Sequence, residues 1–99
     1  MVVTEFPFEE ELLEEDENYT LVRRKFNKDL DSKELVWHRD KEDREIKVIS
    51  GSGWHIQFEN KLPILIQKND LIKIRKQTWH RIINKKYTEL VVEIKKYKC

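Results

Sequence analysis

The chain of 99 residues contains one cysteine, Cys99, and it is the last residue. No intrachain disulfide can form, which suits a reducing compartment. Glycine is scarce as well: Gly51 and Gly53 are the only two, so no Gly-rich phosphate loop exists. No apolar run approaches the roughly 18 residues of a membrane span. The N-terminus lacks the basic stretch of a secretory signal. Together these absences predict a soluble, cytoplasmic protein. No Ser/His/Asp nucleophile arrangement has supporting context either, and Ser50 and Ser52, beside glycine, read as turn residues.

Charge is plentiful. Asp, Glu, Lys and Arg make up 39% of the chain, yet the formal net charge is only +1. The balance is uneven along the sequence. Residues 1–18 carry eight acidic and no basic side chains, leaving twenty basic against eleven acidic in the remainder. This divides the chain into an acidic N-terminal segment, 1–18, and a mildly basic body, 19–99, small enough for one modest core. In the basic stretch Lys68–Lys76, and again near the C-terminus, lysines mostly alternate with Ile, Leu and Val. That is the pattern of a solvated sheet face, and it argues against nucleic acid as a partner.

From Tyr19 onward the apolar period is two, which predicts strands. Expected strands run over 19–26, 34–40, 44–49, 54–59, 62–67, 71–74, 78–83 and 89–97, separated by turn-rich Asn, Asp, Lys and Gly. Eight short strands at this spacing predict an all-β sandwich or small barrel. Val2-Val3-Thr4 reads as a short edge strand. Glu9–Glu17, dense in acid, reads as one or two helical turns anchored by Leu12 and Leu13.

The chemistry-bearing residues concentrate between Val36 and Asn84, which hold every histidine and tryptophan. His38 and Asp40 are two residues apart, so on a strand both side chains leave one face. His80 lies far enough on for the chain to fold back and meet them. Two histidines and a carboxylate can bind a metal on one side and leave the other open to water, O₂ or substrate. Fe, Mn, Ni and Zn all suit such a set. Trp37 and Trp79 each precede a histidine and should face away from the pocket, into a second layer or an interface. Trp54, with Ile56 and Phe58, reads as core. His55 and Gln57 share the opposite face of that strand and are candidates for ligand contact if that face lines the interior.

At this level of detail the chain resembles the cupin superfamily. Asn69 through Asn84 has the length and spacing of the family's second motif, with His80 and Asn84 in register. Asn69, Arg75 and Gln77 replace its usual Gly, Pro and Gly. In the first motif, counting back from Gly51 puts Arg44 at the glutamate position, Asp40 at the second histidine and His38 at the first. The resemblance implies a double-stranded β-helix, a jelly-roll barrel of the RmlC-like type, commonly a homodimer. It implies a metal at His38, Asp40 and His80. Arg44 would then orient an anionic small molecule as a bidentate clamp. Arg44 could instead pair with Asp40, leaving a metal-free polar pocket that binds a carboxylate or sugar. An Fe-type oxygenase, a non-catalytic binding module and a metal-free isomerase using histidine as base all remain open on the sequence.

Overall fold

The computed structural model describes residues 8–28, 36–86 and 88–98, with Phe8 described by its backbone alone. Eight strands appear among them: β1 (Phe8–Glu15), β2 (Tyr19–Phe26), β3 (Arg44–Ser50), β4 (Trp54–Phe58), β5 (Ile64–Leu65), β6 (Leu71–Ile74), β7 (His80–Asn84) and β8 (Leu90–Tyr97). They form two antiparallel sheets, one ordered β1-β2-β8-β3-β6 and the other β5-β4-β7. No helix among the described residues is long and apolar enough to cross a membrane.

Alternation explains how the two sheets share a core. Val22, Ile94 and Ile46 stand opposite one another across β2, β8 and β3, so their side chains leave the same face of the sheet. Trp54 and Ile56 come from the facing sheet. Val48, Trp54 and Leu90 lie at the centre, at most 1% exposed. At the two glycines the backbone takes φ of 134° and 74°, where other residues are strained. A Cβ on Gly51 would also lie 2.9 Å from the Glu89 carbonyl oxygen.

Two expectations need correction. The acidic run 9–15 is strand, not helical turns. Its basic partners are across the sheet: Glu9, Glu10 and Glu11 stand opposite Lys25, Arg24 and Arg23 on β2. Opposite charges directly across an antiparallel pair stabilise it, and an acidic edge strand discourages further pairing. The expected strand at 34–40 is, within the described residues, a single bridge between His38 and His80. Beyond it the carbonyl of Asp40 accepts from the Gln77 amide at 2.7 Å instead of continuing a ladder. The expected 2–4 strand lies outside the described residues.

Candidate metal centre

His38 and His80 are brought together by backbone. Each amide donates to the other's carbonyl, at 3.0 and 2.9 Å, and residues paired this way point their side chains to one face. The rings sit 4.3 Å apart at an interplanar angle of 60°. The same register sets Trp37 against Arg81 and Arg39 against Trp79 on the other face, with guanidinium carbons 4.9 and 5.2 Å from the ring centroids. Trp37 and Trp79 thus face away from the pocket, as alternation demands, each stacked under an arginine.

Asp40 is placed by the turn that follows β6. That turn passes through Gln77 at a φ of 63°, and Asn69, at 75°, lies in the turn before β6; these are the two positions where the resembled motif has glycine. The Gln77 amide holds the Asp40 carbonyl, and the Lys76 amide donates to Asp43 Oδ1 at 2.7 Å. The loop 40–43 is therefore anchored at both of its ends just before Arg44 enters β3. One ligand atom each from His38, Asp40 and His80 lie within 4.8 Å of one another.

The hydrogen bonds around this trio fit a cation. His38 Nδ1 lies 2.9 Å from the Val36 carbonyl and His80 Nδ1 2.7 Å from the Thr78 carbonyl. A carbonyl only accepts, so each Nδ1 carries a proton, and in the neutral ring Nε2 keeps its lone pair. Metal-binding histidines are oriented in this way by the partner of their other nitrogen. Asp40 Oδ2 is buried and has no hydrogen-bond partner, while His80 Nε2 stands 3.4 Å from it. Two lone pairs facing each other at that distance call for a cation between them or a proton on His80.

Arg44 does point toward this centre, and it is engaged. Its Nη2 lies 3.2 Å from Asp40 Oδ1 and donates to Glu42 Oε1 at 2.8 Å, and its Nε donates to the same Glu42 oxygen at 3.0 Å. Asp40 therefore gives one oxygen to Arg44 and keeps the other for the histidine side. Burial alone pushes the Asp40 carboxyl pKa up, but the His80 contact and the Arg44 charge outweigh it, and the group sits below the ordinary carboxylate value.

A cavity of about 560 Å³ opens beside the trio, lined by His38, Asp40, His80 and Arg44 and by inward-facing aliphatic side chains. Arg24 lines it too, held by Glu10 at 2.6 Å. Alternation along β2 could not say which face was inward, so Arg24 went unrecognised in the sequence; its in-register position with Val22 was the available signal. Glu10 is also within 3.8 Å of Lys96. Burial tends to raise the Glu10 pKa, but Arg24, Lys96 and Arg44 bring it below its usual value. Its contribution to stability is then complete above the unfolded carboxyl pKa and lost as pH falls through the lower folded one. Acid unfolding followed by circular dichroism should show a loss starting below about pH 5, with a shallower acid limb in Glu10→Gln. An unchanged limb would mean that the neighbouring cations do no more than offset the burial of Glu10, leaving its affinity for a proton the same in both states.

His55 and Gln57 do not reach the cavity. They leave β4 on the face opposite buried Ile56. Gln57 is spent on structure, donating to the Lys61 carbonyl and accepting from Arg81 Nε, both at 2.9 Å. His55 lies instead in a separate pocket with Lys68, Lys85 and Lys86.

No protein-family model matches the chain, and no curated protein matches it. Solved structures do. A cupin domain from Bordetella pertussis Tohama I is 13% identical and superposes with a TM-score of 0.71 over 99% of this chain and 100% of that one. A cupin-2 domain protein from Shewanella frigidimarina gives 21% identity and 0.71 over 91% and 80%. An RmlC-like cupin from the same organism gives 12% and 0.75 over 94% and 78%. At such identities the likeness is one of fold.

Proposed function

We propose that this chain, a cupin-fold jelly roll by its structural neighbours, binds one divalent transition-metal ion through His38, Asp40 and His80 and presents it to a small organic molecule in the barrel. The observation that carries this reading is the buried Asp40 Oδ2, without a hydrogen bond, facing a histidine nitrogen whose ring partner is already fixed. The donor set, two imidazoles and one carboxylate, suits Fe, Mn, Ni or Zn. Such an ion, when bound, supplies a Lewis acid and open positions for an incoming ligand; with Fe(II) this extends to oxygenase chemistry. The chain's own residues do the rest. The Val36 and Thr78 carbonyls orient the imidazoles, Arg44 fixes one oxygen of Asp40 so that the other turns toward them, and the aliphatic wall gives the cavity an apolar side.

A second reading rests on the Arg44–Asp40 pair at 3.2 Å. If His80 carries a second proton, Asp40 is satisfied by two cations and the pocket is a metal-free binding module. Metal analysis of protein purified without chelator or affinity tag separates the two. About one equivalent of metal per chain is expected, absent from a folded His38→Ala/His80→Ala control. No metal in the native protein, and none taken up on reconstitution, would sink the metal reading and the oxygenase idea with it.

A further inference from the structure

The barrel interior is charged at one end and hydrocarbon elsewhere. Ile46 and Ile72 stand opposite each other in register, in line with buried Ile94. Ile82 stands opposite buried Ile56 on the facing sheet. Ile46, Ile72 and Ile82 are nevertheless only partly buried. All three line the cavity of about 560 Å³, so the surface they leave uncovered opens inward. A cavity of this size holds a small molecule. Its walls offer no hydrogen bond to the part of a ligand lying along them.

The charged end balances itself. Glu10, Asp40 and Glu42 face Arg24, Arg44 and Lys96, and each arginine has a carboxylate at 2.6 or 2.8 Å. Neither arginine is waiting for a ligand's anion, contrary to the clamp expected of Arg44. A divalent ion at the trio would leave this end with two surplus positive charges. An anionic oxygen head is then drawn to the ion, while hydroxyl groups along the isoleucines would lose water without replacement, which is costly.

We infer that the ligand of this site is a small monocarboxylic acid with an aliphatic or single-ring body, its anionic head at the metal and its body along Ile46, Ile72 and Ile82; sugars and sugar acids are disfavoured. The inference rests on the metal reading above and adds the substrate class to it.

The test is calorimetric titration of the Co²⁺-loaded native protein with acetate, butyrate, hexanoate and gluconate. The cobalt visible band reports loading throughout. Gluconate has the carbon count and head of hexanoate but a hydroxylated body. Affinity is expected to rise about fourfold for each added methylene until the cavity is full. Gluconate is expected to bind about tenfold or more weaker than hexanoate. A flat series, or gluconate equal to hexanoate, with the cobalt band intact, overturns the substrate class and leaves the metal site standing. Failure of cobalt to load overturns the metal reading and the head-group assignment. The same series on the metal-free protein then decides the apolar half: chain-length dependence upholds it and its absence removes it.

Discussion

Replacing Arg44 with methionine is expected to tighten divalent-ion binding by about tenfold, and Asp40→Asn to weaken it by about a hundredfold or more. The two residues are joined through one carboxylate, so their opposite effects are a sharp test. Arg44 Nη2 sits 3.2 Å from Asp40 Oδ1, and a guanidinium stays charged at any pH a protein survives. An ion held by Asp40 is repelled by that charge. For a double and a single charge about 6 Å apart, the repulsion is roughly 5 kcal/mol at an effective dielectric of about 20. Solvent screening and the neutralising Glu42 beside Arg44 reduce this to the order of 1–2 kcal/mol, hence the tenfold figure. Methionine keeps much of the stem's volume without the charge. Asp40→Asn removes the only carboxylate of the trio and leaves Arg44 with Glu42 alone. Competition for Zn²⁺ against a chromophoric chelator measures both changes, with circular dichroism showing that each variant folds. Equal losses in the two variants would show that Arg44 is needed to hold Asp40 in position. No effect from either would move the reading to the metal-free module.

The site was more legible in the sequence than its surroundings because motif spacing survives substitution. His38, Asp40, Arg44 and His80 could be placed by counting from Gly51 and Asn69, and the structure gathers all four at one end of the barrel. Asn69 and Gln77 replace glycine in that count yet keep its positive φ, so the backbone route is retained where the residue type is not. Glu9–Glu15 was misread because a run of acid has no sequence-local sign of where its counter-charges are. Arg23, Arg24 and Lys25 meet it only after the chain turns at 16–18. The repeated triplet Trp37-His38-Arg39 and Trp79-His80-Arg81 held an unused signal. Antiparallel pairing of two such triplets, centred on histidine, puts each tryptophan under the other's arginine, and that is the arrangement found. His55 and Gln57 show the limit of alternation. It groups them correctly on one face of β4, but only the position of Trp54 and Ile56 in the core says which face is inside.

Trp54→Ala is expected to cost about 3–5 kcal/mol, the range for deleting a fully buried aromatic side chain. Trp54 is 0% exposed. From the smaller sheet it meets Phe26 of the larger one, ring centroids 5.7 Å apart and tilted by 45°. Its indole Nε1 donates to the Thr88 carbonyl at 2.9 Å, and its own carbonyl accepts from the Ile66 amide at 3.0 Å. It therefore joins the two sheets through packing and ties the segment before β8 by a hydrogen bond. A domain of this length has about 5–15 kcal/mol of stability in all, so the alanine variant stands close to unfolding at 37 °C. Trp54→Phe separates the two contributions. It keeps an aromatic ring in the core and loses the indole donor, and should cost about 1–2 kcal/mol for the missing bond and the smaller ring. Urea midpoints at unchanged m-value give both numbers. A loss under about 1 kcal/mol in the alanine variant would show that the sheets are held without this side chain. If phenylalanine costs as much as alanine, the hydrogen bond to Thr88 rather than packing on Phe26 is what Trp54 contributes. Trp54 does not line the cavity beside His38, Asp40 and His80, so phenylalanine at this position should leave the metal stoichiometry of the proposed site unchanged while the midpoint falls.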